Sequence, residues 1–382
     1  MKNIYLDNAA TTPMLPEVVN VVTNAMNDNY GNPSSVHQIG RKAKSSIETA
    51  RKKIASYFNV SAGEIFFTSG GTEADNMVLQ SAVLSLGVDN IVTTKLEHHA
   101  VLYTVEFLKE KYGINVVFLD VDVQGQVNVS DLEGVLGELK GKTLVSLMWV
   151  NNEIGNILPI KKVAEICKKY KALFHSDTVQ AVGHYELNLQ EIPVDFMVAS
   201  AHKFHGPKGV GFVFVRKGIV IKSLFHGGGQ ERGVRSSTEN VYGILGMQKA
   251  LEISIKEMEK DRGKIEVLKK TLIEGVENIF PSVQFNGVSG VLEKSSYTIL
   301  NIRFPFKDKM LLFNFDLMGL SVSGGSACQS GSSKGSHVLQ SFLNEEEQKK
   351  ASIRFSFSKL NTIEDIKEVL GLMRKLKNQK KL

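Results

Sequence analysis

A chain of 382 residues with 42% apolar and 23% charged residues is long enough for two domains and has the balance of an ordinary globular enzyme. Its net charge of +6 sits largely at Arg374, Lys375, Lys377, Lys380 and Lys381, where cations suit a helix end, so it specifies no nucleic-acid partner. No apolar run reaches the ~18 residues of a membrane span, an acid at Asp7 comes too early for a signal peptide, and two cysteines make neither a structural zinc site nor a disulfide framework, so a reducing cytoplasm is the expected setting.

In chain order, Asp7-Asn8-Ala9-Ala10-Thr11-Thr12-Pro13 is a polar arm, and residues 15–26 carry a helical apolar pattern. Gly31-Asn32-Pro33-Ser34-Ser35 is a loop before a long amphipathic helix through about residue 58. Residues 64–68 read as a short strand that ends in Ser69-Gly70-Gly71-Thr72-Glu73 and opens a helix to about residue 86. The middle then alternates, with apolar runs of strand length at 91–94, 116–121, 144–150, 173–176 and 196–199 and helical stretches near 98–112, 130–139 and 160–171. That alternation predicts a parallel sheet covered on both faces, with ligands at the carboxyl ends of its strands. Thr68-Ser69-Gly70, Asn151-Asn152, Asp177 and Lys203 all fall at such ends. Beyond Gly227-Gly228-Gly229 a helix runs from about 242 to 279, followed by strands at 297–304 and 352–357 and helices near 309–318 and 362–377. These describe a smaller α+β unit joined to the first by the long helix.

Four stretches carry chemistry. Lys203 stands in Ser200-Ala201-His202-Lys203 between two apolar runs; it is either a surface lysine in a Gly/Pro turn or an amine held in a pocket to form a Schiff base. Ser69-Gly70-Gly71-Thr72 joins a strand end to a helix start, so it can cradle an anion on free N–H groups, or Thr72 can simply cap the helix. Asp177 ends a core strand, as a helix cap or as an acid that keeps a pyridinium protonated. In Glu97-His98-His99 the two adjacent histidines cannot face one metal, and an imidazole over an aromatic cofactor, able to act as acid or base near neutral pH, fits better; no metal site is expected.

Two further features stand apart. Residues 321–336 are eleven-sixteenths Ser or Gly, a flexible composition with one cysteine, Cys328, in the middle, whereas Cys167 has the helical spacing of a packed core residue. Arg354 interrupts the apolar face of its strand, for a surface ion pair or for a substrate carboxylate.

Together these segments resemble the pyridoxal-phosphate-dependent cysteine desulfurases that supply sulfur for iron–sulfur clusters. The likeness is carried by Tyr5-Leu6-Asp7-Asn8-Ala9-Ala10-Thr11-Thr12-Pro13, Gly31-Asn32-Pro33-Ser34-Ser35, Thr68-Ser69-Gly70-Gly71-Thr72-Glu73, Val150-Asn151-Asn152-Glu153-Ile154-Gly155, Ser200-Ala201-His202-Lys203, His226-Gly227-Gly228-Gly229-Gln230-Glu231-Arg232-Gly233 and Gly325-Ser326-Ala327-Cys328. The resemblance implies an α/β class, the pyridoxal-phosphate-dependent transferase fold type I. Residues 15–260 would form a large domain on a mostly parallel seven-stranded sheet. Residues 1–14 and 261–382 would form a small α+β domain carrying the cysteine loop.

The same resemblance implies that Lys203 binds the cofactor, pyridoxal 5'-phosphate, and later takes the Cα proton. His98 would stack on the ring, Asp177 would pair with its nitrogen, and Asn152 and Gln180 would reach its hydroxyl side. Gly71, Thr72, Ser200 and His202 would hold the phosphate, and Thr238 would reach it from the second subunit of a homodimer. Asn32 and Arg354 would hold the carboxylate of L-cysteine, and Cys328 would take its sulfur as a persulfide, releasing alanine. Acceptors would be proteins of the iron–sulfur scaffold or tRNA-thiolation type, with no membrane and no direct nucleic-acid contact. Ser323-Gly324-Gly325-Ser326-Ala327-Cys328 and its long Ser/Gly run are similar to the long-loop group rather than to relatives with Arg-x-Gly-x-His-Cys.

Two departures stand out: Ser237 occupies a position where the pattern usually has glycine, and the chain ends without the C-terminal segment by which some relatives engage a scaffold, which leaves the acceptor open. Competing readings are a selenocysteine lyase or small aminotransferase that does not need Cys328, and a sulfur-relay or scaffold protein without turnover.

Overall fold

A computed structural model describes residues 3–325 and 335–380. After a two-residue strand β1 (Ile4–Tyr5), the arm leads into α1 (Pro16–Asp28) and α2 (Gln38–Tyr57). A strand–helix succession follows: β2 (Ile65–Thr68), α3 (Gly71–Leu84), β3 (Asn90–Thr94), α4 (His99–Tyr112), β4 (Asn115–Leu119), α5 (Val129–Glu138), β5 (Thr143–Ser146), α6 (Ile160–Lys169), β6 (Leu173–Asp177), β7 (Phe196–Ser200) and β8 (Gly211–Val215).

Seven of these strands form one sheet in the order β2-β8-β7-β6-β5-β3-β4. Neighbours from β7 to β4 run parallel, and β8 runs antiparallel to both β7 and β2. Residues 201–210, which join β7 to β8, are too few for the helical crossover that a parallel pair requires. The sheet is therefore mostly, not wholly, parallel. The run predicted at 144–150 is a ladder only to Ser146, but the chain stays beside β6, where Leu147 and Trp149 donate to the carbonyls of His175 and Asp177 at 3.1 and 2.9 Å.

Alternation along each strand divides the core in two. Val92, Val145, Phe174 and Met197 pack with α2, α5, α6 and the first half of a long helix α7 (Val241–Ile279). Ile91, Leu144, Phe196 and Val198 face the other way, onto Met77 and Val78 of α3 and Val101, Val105 and Leu108 of α4. Cys167 is buried in the first of these cores, as its helical spacing predicted.

The rest of the chain adds β9 (Gln284–Phe285), β10 (Ile299–Arg303), α8 (Leu311–Leu317), β11 (Leu320–Ser321), α9 (His337–Gln340), α10 (Glu345–Gln348), β12 (Ser352–Ser356) and α11 (Ile363–Lys380). A three-stranded antiparallel sheet, β12-β10-β9, packs Leu300, Ile302, Ile353 and Phe355 against α11 and the second half of α7. Ile4 and Leu6 of the arm join that core, because β1 pairs in parallel with β11. Among the described residues no helix is long and apolar enough to cross a membrane.

Candidate active site

The polar arm is sewn between the small sheet and the segment that follows β7 of the large one. Asn8 and Ala9 bind the backbone carbonyl and hydroxyl of Ser356 on β12, while Thr12 exchanges hydrogen bonds with His202 and His205 beyond β7. The arm thereby lays Ala9 and Ala10 beside a cavity of about 210 Å³. Gly71, Thr72, His98, Asn152, Asp177, Gln180, Ser200, His202, Lys203 and Arg354 line the same cavity, so ten of the residues singled out from the sequence meet there.

One end of the cavity is the start of α3. Gly70 stands before it with φ +154° and provides no side-chain cap, so first-turn N–H groups are left for a ligand. Thr72 lies inside the helix and does not cap it. A Cβ on Gly71 would fall 2.7 Å from Val179 Cγ2, so only glycine allows this approach of helix to loop. Ser200 lines the same cavity, as does His202, whose Nδ1 is 3.1 Å from Thr11 Oγ1 and whose imidazole is held down to about 4 by burial and the charges of Lys203 and Lys208.

Asp177 is buried at the end of β6. Its Oδ1 accepts from the N–H of Val179 at 2.9 Å, so it caps a turn and lines the cavity at once; the two sequence readings are not exclusive. Burial raises its carboxyl above the usual range, opposed by that N–H and by the charge of Lys203. Lys203 is no surface residue of a turn: its Nζ donates to the carbonyls of Ala9 and Ala10 at 2.6 and 2.9 Å. Gln180 Nε2 donates to the same Ala9 carbonyl at 2.9 Å.

His98 caps α4, with Nδ1 accepting from the N–H of Ala100 at 3.1 Å. That bond fixes the neutral tautomer with its proton on Nε2. Burial, then the charges of Lys203 and His337, pushes the imidazole down to about 4. In the cavity as described, His98 is a neutral ring across the neutral range.

Arg354 is 1% exposed, which rules out the surface ion pair. Its two terminal nitrogens donate to the carbonyl of Asn152 and to Asp7 Oδ1, both at 2.8 Å, while Nε is buried without a partner. A guanidinium has five N–H donors, so a planar fork remains for an anion.

Two residues lie elsewhere. Asn32 is exposed and its Oδ1 accepts from the N–H of Ser34 at 2.9 Å, away from the cavity lining. Thr238 is exposed in a separate surface groove with Arg235 and Ser237, and Ser237 has φ +129°, the conformation that favours glycine. Cys328 lies outside the described residues.

Sequence reading missed Asp7, Asp75 and Met148. Asp75 had a signal: it is an acid on the apolar face of α3 that also carries Ala74, Met77 and Val78, one turn after Gly71. Among the described residues no group of three His, Cys, Asp or Glu side chains could hold a metal ion.

An amine, a buried acid, an anion cradle and an arginine fork in one cavity suit amino-acid chemistry on a phosphorylated cofactor, and comparison with known proteins agrees. The chain belongs to the class-V aminotransferase family, whose model matches residues 4–369. Within that pyridoxal-phosphate-dependent family, relatives that match along nearly the whole chain include cysteine desulfurases. The cysteine desulfurase IscS of Clostridium botulinum is 40% identical over 100% of this chain and 96% of its own length. That of Dictyoglomus turgidum is 42% identical over 98% and 94%. Among solved structures, a NifS-like protein superposes with a TM-score of 0.89 at 36% identity, covering 98% of this chain and 99% of that one. A NifS-like protein from Rickettsia africae gives 0.88 at 33% identity with the same coverage.

Proposed function

We propose that this chain is a cysteine desulfurase that converts L-cysteine to L-alanine and passes the sulfur, as a persulfide on Cys328, to acceptors such as iron–sulfur cluster assembly proteins. The observation that carries this reading is the one cavity shared by Lys203, Asp177, His98 and Arg354, in a chain whose relatives along nearly its whole length include cysteine desulfurases. The donor set fits pyridoxal phosphate: uncapped helix N–H groups with Ser200 and His202 at one side, a buried carboxyl at Asp177, an amine at Lys203, and a neutral imidazole at His98.

When bound, that cofactor supplies an electron sink that lets the Cα–H bond of an amino acid break. The chain's own residues do the rest. Gly71, Thr72, Ser200 and His202 would hold the phosphate, and Asp177 would keep the ring nitrogen protonated. His98 would lie against the ring face, and Asn152 and Gln180 would address its hydroxyl side. Arg354, preset by Asp7, binds the substrate carboxylate, while Asn32, exposed and away from the cavity lining, is given no part in that site. The Lys203 amine would accept the Cα proton. The Cys328 thiolate forms an S–S bond to the substrate sulfur as the Cβ–S bond breaks. The electron pair of that bond passes to the three-carbon skeleton, which is protonated and leaves as alanine.

The exposed Thr238 groove suits a homodimer in which Thr238 completes the phosphate site of a second subunit. The division into residues 15–260 and residues 1–14 with 261–382 is supported by the two hydrophobic cores that α7 bridges. A buried free thiol at Cys167 is compatible with a reducing cytoplasm.

Incubation with cysteine and a reductant, with alanine and sulfide measured together, tests the activity. Equal yields are expected. A protein inert toward cysteine that releases alanine from selenocysteine would be a lyase of the other substrate and would overturn the reading.

A further inference from the structure

Behind the cofactor pocket lies a group of buried ionisable side chains that the proposed mechanism does not use. Asp75 is one turn into α3 from Gly71, and His175 shares a face of β6 with Asp177, two residues on. That face meets α3, so His175 Nε2 lies 3.4 Å from Asp75 Oδ1. The other ring nitrogen, Nδ1, is 2.9 Å from Ser146 Oγ. Glu97, just before α4, turns inward: its Oε1 accepts from the N–H of Met148 at 2.9 Å and from Thr94 Oγ1 at 3.3 Å, and its Oε2 is buried without a partner. Asp75 and Glu97 are each 1% exposed and His175 is 0% exposed.

The surroundings decide which carboxyl carries charge. Asp177 has the Val179 N–H and the Lys203 amine acting on it. Asp75 has neither, and feels only burial and the two other carboxyls. Glu97 has its two donors on one oxygen and no cation. Around them, His98 on α4 is neutral, His337 on α9 reaches the backbone carbonyl of Glu97 rather than its carboxyl, and Arg354 on β12 is committed to Asp7. Three carboxylates within one buried space cannot all ionise, and an ionised carboxylate without a partner is costly to bury.

We propose that Asp75 and Glu97 are carried as neutral carboxylic acids and, with His175, form a charge-setting group that leaves Asp177 as the single ionised carboxyl beneath the pocket. They are positioning residues that act through Asp177. With a proton on the Asp75 carboxyl and a neutral ring at His175 the pair has no net charge, and Ser146 can act as donor or acceptor to the Nδ1 of either ring tautomer. The consequence for the bound cofactor rests on the pyridoxal-phosphate reading; the protonation itself does not. Burial lifts Glu97 to about 8, so above that pH a second negative charge appears near Asp177 and alters the acid–base response of the site.

Infrared spectroscopy of the full protein tests this, with and without added pyridoxal phosphate. At neutral pH, carbonyl bands of buried protonated carboxyls should be present. Asp75→Asn and Glu97→Gln should each remove one, and Asp177→Asn should remove none. In the wild type one band should titrate away with a midpoint near 8, a measurement that needs no variant to fold. In the loaded enzyme, a component near that pH in the visible absorbance titration should vanish in Glu97→Gln. Absence of protonated-carboxyl bands from the wild type, or a band lost in Asp177→Asn instead, overturns the proposal. A protein that shows the bands yet never takes up pyridoxal phosphate refutes the functional reading and leaves this one standing.

Discussion

Arg354→Lys separates substrate binding from cofactor chemistry. The arginine spends one bond on Asp7 and one on the Asn152 carbonyl, leaving Nε and the rest of the fork for the substrate carboxylate. A lysine at this position keeps a positive charge for Asp7 but offers a single point donor in place of a fork. The net loss is one charge-assisted hydrogen bond to the carboxylate, about 1.5–3 kcal/mol, which corresponds to a rise of roughly 10- to 150-fold in KM for cysteine. Because the charge beside Asp7 is retained, the fold should survive; Arg354→Ala would instead leave the half-buried Asp7 without its cation. The assay is alanine formation against cysteine concentration, with visible absorbance confirming that the pyridoxal phosphate remains bound. An unchanged KM with intact absorbance would refute the assignment of Arg354 to the substrate carboxylate.

Three further outcomes follow from other parts of the chain. Lys269 is fully buried on α7, donates to Ser295 Oγ and the Ser296 carbonyl at 2.8 and 2.7 Å, and is pushed down by burial from 10.5 to about 7. Its folded pKa is below its unfolded one, so the unfolded chain binds more protons between these values and wild-type stability should rise as pH rises from about 7 towards 10, by up to roughly 5 kcal/mol; in Lys269→Met, denaturant titrations should lack that slope, and a slope retained would show the amine to be charged in the fold. Ser237→Gly should stabilise by about 1 kcal/mol, because φ +129° strains a serine and not a glycine; thermal unfolding decides, and a lowered midpoint would contradict it. Light scattering on the eluted protein should give twice the chain mass, and an active monomer would dismiss the shared phosphate site at Thr238.

Much of the architecture is legible in sequence because core strands are apolar runs and their carboxyl ends collect the polar residues. Ser69 to Thr72, Asn152, Asp177 and Lys203 could be placed on one rim without coordinates, since a parallel sheet directs every strand end to the same side. The direction of β8 was less apparent, because hydrophobicity does not encode it; the short link of residues 201–210 does. Pairings across the whole chain were out of reach. Arg354 meets Asp7 only because the arm threads between the small sheet and the segment that follows β7, and nothing local to either residue announces the contact. The neutral state of His98 is hidden for a related reason: its burial and its bond to the Ala100 N–H depend on how α4 docks, not on the His-His dipeptide. Asp75 and His175 were passed over because their partnership joins a helix face to a strand face.

The central claim is that sulfur from cysteine passes to a protein thiol, and mass spectrometry after a single turnover measures it. The loaded wild-type protein, given one equivalent of cysteine without reductant, should gain one sulfur atom on the peptide containing Cys328 and release one alanine. Cys328→Ser should bind cysteine, gain no sulfur on that peptide and give almost no sulfide when reductant is supplied. Full sulfide release from Cys328→Ser, or wild-type alanine formation with no sulfur on Cys328, would contradict the account.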